Sequence, residues 1–344
     1  MRHFVKLLTV SGIAVAAAQA ASARDLTIAG WGGNYQDAQR AAYYTPFAEA
    51  KGIAFTETTY LGGLAEVKAM ADTGNVTWDL VIVEGADLQL GCDEGLFEEI
   101  PWAAFAVAGE LNPHAVQGCG AGNVVIGNGY AYNAEQFPEA PMDWADFFNT
   151  EKFPGKRAVR NQPKMNLEYA LLADGVPVDR VYEVLATPEG VDRAFAKFDT
   201  IKGDIQFWDA GSQPVEWLAA GNVALSTAYN GRIISAQAEG QPLEFVWKNH
   251  IYNIDAWAIP ANAPHKDVAL EFIEFASSAA PQAKFSEQMP YGPTNMKAAE
   301  MLPPGVVKNL PTGMNIDEAL FYSDAFWIDH YDELAERWNN WATQ

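Results

Sequence analysis

Residues 79–83 read Asp-Leu-Val-Ile-Val and stop at Glu84-Gly85. An uninterrupted apolar run of this kind is the pattern of a strand buried on both faces, which requires helices on either side of the sheet. The preceding residues agree. A short strand is predicted over 25–29. A helix follows over 36–51, with Ala41, Tyr44, Phe47 and Ala48 on one face, Gly52 as its stop, and Pro46 placed to kink or split it. A second strand is expected over 53–58, and a second helix over 65–73, closed by Gly74. This β-α-β-α-β order predicts an α/β fold with a mainly parallel sheet. In such sheets ligands sit beyond the carboxyl ends of the strands. The residues to inspect are therefore Trp31, Tyr35 and Glu84.

The alternation resumes further on. An apolar run spans 123–132, and a short helix is expected over 144–148. Strands over 157–160, 205–208 and 223–229 alternate with helices over 167–172 and 178–185. A strand over 252–260 then leads into a helix over 266–277 and a turn over 290–295. That strand holds one anomaly. Asp255 sits among apolar and aromatic residues, where a carboxylate is costly unless a cation or several donors meet it. It either pairs with an internal arginine or a turn, or it lines a cleft that receives a cationic ligand. Near the C-terminus, Trp327, Tyr331, Leu334, Trp338 and Trp341 recur at spacings of three and four, the apolar face of a helix docked on a core. There is no internal repeat and no low-complexity linker. The chain divides into 24–130 as the first part of one lobe, 131–252 as a second lobe, 253–300 as the return to the first, and 301–344 as a helical segment packed on the lobes. Crossing strands would join the lobes, with the hinge near 131–133 and 253–255.

The first residues set the compartment. Arg2, His3 and Lys6 precede a short run rich in Leu, Val and Ala, and Ala21-Ser22-Ala23 is a small-x-small cleavage site. Residues 1–23 therefore read as a signal peptide, and the product as an exported soluble protein. Cys92 and Cys119 are the two cysteines. In an oxidising compartment they read as a disulfide, the alternative being two buried free thiols. With 44 acidic against 22 basic residues, the charge argues against nucleic acid and anionic membranes as partners and weakly favours cationic solutes.

The order of these elements resembles periplasmic substrate-binding proteins of ABC importers, in particular extracellular solute-binding family 1 and its spermidine/putrescine-binding group. Four motifs carry the resemblance: Trp31 and Tyr35 after the first strand; the strand ending at Glu84; the strand ending Tyr229-Asn230-Gly231; and the Asp255 strand with its Ala-Ile-Pro ending, followed by Tyr291-Gly-Pro-Thr-Asn. The resemblance implies a two-lobed (type II) fold and a diamine held between the lobes. Aromatic faces would cover its methylenes and carboxylates its ammonium ends. Trp31, Tyr35, Tyr229 and Tyr291 would be the aromatics, with Asp255 the central carboxylate and Glu84 a polar contact. Trp257 in the Asp255 strand joins the candidates, and Trp208 leaves room for a sugar-stacking wall. The sequence departs from the group at Asn253, Arg160 and Arg232. Either the two arginines pair with structural acids, or one of them meets a solute carboxylate by bidentate pairing.

Other classes find less support. His114, His250, His265 and His330 are scattered, and no His or Cys spacing suits a metal. No nucleophile elbow and no phosphate-binding glycine loop is present. Paired acids could in principle hydrolyse a glycoside. The neighbouring Tyr43 and Tyr44, which an iron site would want together, lie in a helix and face apart. The expectation is a non-enzymatic monomer without cofactor that binds a polyamine between its lobes and passes it to an inner-membrane permease. The alternative is the same role for a zwitterionic ω-amino acid or small carboxylate.

Overall fold

The computed structural model describes residues 25–343. The signal sequence expected over 1–23 lies outside them. Ten strands form one mixed sheet: β1 (Leu26–Gly30), β2 (Phe55–Thr59), β3 (Leu80–Val83), β4 (Val116–Gln117), β5 (Gly120–Asn133), β6 (Arg157–Arg160), β7 (Ile205–Trp208), β8 (Leu225–Tyr229), β9 (Leu243–Ala258) and β10 (Leu320–Phe321). The main order is β2-β1-β3-β9-β5-β8-β6-β7. At one end β1 pairs parallel with β2 and β3. At the other, β6 pairs parallel with β7 and β8. Between them run β5 and β9, antiparallel to each other and to their flanking strands. All four residues of β3 are fully buried, as an apolar strand covered on both faces must be.

The 252–260 strand proves to be the last part of β9, which runs 16 residues from Leu243. β5 has 14. Both exceed ordinary strand length because each serves both ends of the sheet. Residues 121–128 of β5 pair with 251–257 of β9, and residues 130–133 with 243–246. The register breaks between Asn128 and Tyr130, and Asn249 opposite takes φ +53°. The crossing strands are thus irregular at 122–124 and at 128–130, the latter opposite 247–250.

The helix expected over 36–51 is present in three pieces. Gly33–Gln39 and Thr45–Lys51 are α-helical, and Arg40–Tyr44 between them is a π-turn. Pro46 explains the break, since its ring has no N–H and crowds the carbonyl four residues back. Gly52 and Gly74 end their helices at φ +66° and +64°, a conformation that suits glycine.

Two larger apolar cores lie at the two ends of the sheet. One gathers Ile28, Phe47, Leu80, Trp257 and Phe272, the other Trp144, Phe147, Tyr169 and Phe198. The C-terminal helix (Asp324–Ala342) docks on the second through Trp327, Leu334, Trp338 and Trp341. Tyr331, expected on the same face, is 39 % exposed and instead lies under the Lys164 ammonium. The Cys92–Cys119 disulfide is present, with Cα atoms 6.0 Å apart. It ties the end of the Gly85–Asp93 helix to the residue before β5. Among the described residues no helix is long and apolar enough to cross a membrane.

Candidate functional site

The parallel strands at both ends of the sheet deliver their following residues to one cavity of about 570 Å³. Trp31 comes after β1 and Glu84 after β3. Arg160 closes β6, Asp209 follows β7, and Tyr229 and Arg232 close and follow β8. This is the carboxyl-end placement that α/β sheets give their ligands. The crossing strands add Ile126 and Asn128 from β5, and Asn253 and Asp255 from β9. Ile254, pointing the other way as strand alternation requires, lines a separate groove of about 690 Å³ beside the disulfide. That groove has acidic residues but no lysine or arginine.

Three of the cavity's acids, Asp255, Glu84 and Asp324, lie near one another. Asp255 is 5 % exposed, and burial holds its carboxyl well above the usual range, with Glu84 and Asp324 adding repulsion. The Trp31 indole partly offsets that rise. Asn253 Nδ2 lies 3.4 Å from its Oδ1, and Asn128 Nδ2 in turn donates to Asn253 Oδ1 at 2.9 Å. No lysine or arginine among the described residues forms an ion pair with it. Glu84 stands at the N-cap position of the Gly85–Asp93 helix without a side-chain capping bond, and burial raises its carboxyl too, with Asp87 adding to the rise and Lys164 and Arg160 opposing it. Asp324 reaches the same helix start, where the Ala86 backbone partly offsets burial; burial still raises its carboxyl to about 6. Gly85 makes this approach possible, because a Cβ there would stand 2.1 Å from Asp324 Oδ2.

The guanidiniums come from the other end of the sheet, Arg160 closing β6 and Arg232 following β8. Arg160 Nη1 donates to Tyr229 Oη at 2.6 Å, and its Cζ lies 5.7 Å from the Trp208 ring centre. Arg232 favours the ionised hydroxyls of both Tyr229 and Tyr291. Among the described residues neither arginine has a carboxylate partner, so the pairing with structural acids weighed from sequence is absent. Asn230 braces this wall: its Oδ1 accepts from Gly127 N at 3.0 Å and its Nδ2 donates to Pro290 O at 2.6 Å. Tyr291 closes over Gly231, where a Cβ would meet its ring at 2.6 Å. A cavity lined both by carboxylates and by guanidiniums without carboxylate partners can hold a small solute of both charges. Trp31 supplies an aromatic face beside the acids, itself stacked on Tyr60 at 5.0 Å.

The profile of the bacterial extracellular solute-binding protein family matches residues 42–314. The chain belongs to that family. It is a solute-binding transport receptor and not an enzyme. Over 343 residues this solute-binding protein is 45 % identical to the gamma-aminobutyric acid-binding protein of Pseudomonas aeruginosa, covering 99 % of this chain and 97 % of that one. It is 24 % identical over 207 residues to the spermidine/putrescine-binding periplasmic protein of Salmonella typhimurium, or 57 % of this chain and 58 % of that one. The solved structure of a GABA receptor superposes with a TM-score of 0.81 at 33 % identity, covering 93 % of this chain and 98 % of that one.

Of the ten ligand-site candidates from sequence, the solute-binding protein brings Trp31, Glu84, Arg160, Tyr229, Arg232, Asp255 and Tyr291 to the cavity. Three stand elsewhere. Trp257 is 1 % exposed and packs edge-on against Tyr43 in the first core. It shares a β9 face with Asp255, but two residues further on that face is covered by the helical segment carrying Tyr43. Trp208 sits behind Arg160, with its indole donating to Thr227 Oγ1 at 3.0 Å. Tyr35 forms a second row, edge-on to Tyr291, with its hydroxyl buried. Sequence reasoning missed Asn128, Lys164, Tyr322 and Asp324 as cavity residues. Lys164 follows β6, so the carboxyl-end rule could have found it. Asp324 had no such signal, because its segment reads only as a docked helix.

Proposed function

We propose that this protein captures a short zwitterionic ω-amino acid in the periplasm and delivers it to the inner-membrane permease of an ABC importer. One observation carries the reading. Two guanidiniums without carboxylate partners among the described residues line the same cavity as the carboxylates of Asp255, Glu84 and Asp324. A solute with an ammonium at one end and a carboxylate at the other satisfies both sets. A diamine satisfies the acids but brings its second ammonium near Arg160 and Arg232, a juxtaposition of like charges. The relatives that bind gamma-aminobutyric acid, similar to this chain over nearly its whole length, support the zwitterion over the polyamine. Residues 1–23 direct export, and the mature chain acts as a monomer. Residues 24–130 and 253–300 form one lobe and 131–252 the other, with Asp255, Trp31 and Glu84 taking the ammonium and Arg160 and Arg232 the carboxylate.

Calorimetry with 4-aminobutyrate, putrescine, butyrate and glucose tests this. The ω-amino acid should bind at least about 100-fold more tightly than the diamine or the monocarboxylate, since each lacks one buried ion pair. Tighter binding of putrescine would restore the polyamine reading. Arg232→Ala should weaken 4-aminobutyrate strongly and putrescine not at all.

A further inference from the structure

Glu168, on the Asn166–Ala173 helix, has no exposure to solvent. Its Oε1 accepts from Trp327 Nε1 at 2.6 Å and from Tyr182 Oη at 3.1 Å, and its Oε2 is buried with no hydrogen-bond partner among the described residues. A carboxyl group in an aromatic core is a liability that an apolar residue of similar volume would remove. It does not line the cavity, so solute contact does not account for it. Its partners do. Tyr182 Oη also accepts from Ser323 N at 2.9 Å, and Ser323 Oγ accepts from Phe326 N at 3.2 Å, capping the C-terminal helix. The donors run one way, from Ser323 to Tyr182 to Glu168, with Trp327 joining at the same oxygen. The next residue after Ser323 is Asp324, which enters the cavity beside Glu84 and Asp255. Three like charges repel one another, and the first turn of a helix has few bonds of its own to resist.

We propose that Glu168 is a positioning residue of the solute site: by gathering Tyr182 and Trp327 on one oxygen it fixes the first turn of the C-terminal helix, and with it the Asp324 carboxylate that meets the solute's ammonium group. This rests on the cavity being an ammonium site and is independent of what lies at the solute's other end.

A double-mutant cycle on the full chain tests it, with affinity for 4-aminobutyrate read by calorimetry. Tyr182→Phe keeps the ring and removes the link to Ser323; it should weaken binding about ten-fold, as one charge-linked hydrogen bond is worth. Asp324→Asn should weaken it at least as much, and the double variant should bind no more weakly than Asp324→Asn alone. Glu168→Gln keeps an acceptor oxygen and should restore nearly wild-type affinity, whereas Glu168→Leu should behave like Tyr182→Phe. Additive losses overturn the proposal, as does a Tyr182→Phe protein with a lowered Tm and unchanged affinity. Should the wild type ignore 4-aminobutyrate and bind putrescine, the ω-amino acid reading fails and the same cycle with putrescine must show the same non-additivity. A wild type that binds neither amine overturns both.

Discussion

Asp255 has no cation beside it, and its neighbours Glu84 and Asp324 carry the same sign. Such a residue weakens the protein when no solute is bound and becomes useful only when an ammonium arrives. Asp255→Asn should therefore reduce solute affinity by at least about 100-fold and raise the Tm measured without solute. A fall in both would mark Asp255 as a structural member. Glu168 makes a related point through pH. Burial raises its carboxyl from 4.5 to about 7. The native state thus holds this proton more tightly than the unfolded chain. Below pH 4.5 both states are protonated and the group contributes nothing. As pH rises toward 7 the unfolded chain loses the proton first, so native stability declines, and it levels off above 7. Urea midpoints measured from pH 4.5 to 7.5 should fall in the wild type and fall less in Glu168→Gln. A solute ammonium works in the opposite sense, since it favours ionised Asp255 and Asp324.

The Gly85–Asp93 helix is the element on which the acidic end depends. It follows directly on Glu84, receives Asp324 at its first turn, and is anchored at its far end by Cys92 to Cys119. The bridge closes a loop with a sequence separation of 27. In the chain-entropy view, Cys92→Ser with Cys119→Ser should lower unfolding free energy by about 3–4 kcal/mol, read from denaturant titration. Gly85→Ala isolates the site from the fold. The new Cβ displaces Asp324 while improving local helix propensity, so affinity should drop about ten-fold or more with little change in Tm.

Across the whole molecule, the cavity walls belong to opposite ends of one sheet, connected by β5 and β9. Lys164 after β6 lowers the carboxyl pKa of both Glu84 and Asp324 electrostatically, yet no lysine pairs with either acid within 4.0 Å among the described residues. A rotation at the irregular register of 128–130 would bring these charges together around a solute. Small-angle scattering should show a smaller radius of gyration on adding 4-aminobutyrate and no change for Asp255→Asn. At a hundred times its Kd, the solute should also add about 2.7 kcal/mol to wild-type stability.

Local chemistry alone determined much of this protein. The apolar run of β3, the glycine stops at Gly52 and Gly74, and the carboxyl-end positions of Trp31, Glu84, Arg160 and Tyr229 follow from periodicity and turn residues, which neighbours in the chain decide. Asp255 was visible as a carboxylate out of place. Only the tertiary structure decided what surrounds it. Alternation says that Asp255 and Trp257 share a face of β9, but not that the face passes from cavity to core between them. Spacing cannot tell whether Arg160 and Arg232 find acids, because a charge's partner is set by elements far away in sequence. Asp324 is the clearest case: 69 residues from Asp255 along the chain, it reaches the same carboxylate cluster because aromatic packing carries its helix across the second core and Gly85 leaves it room.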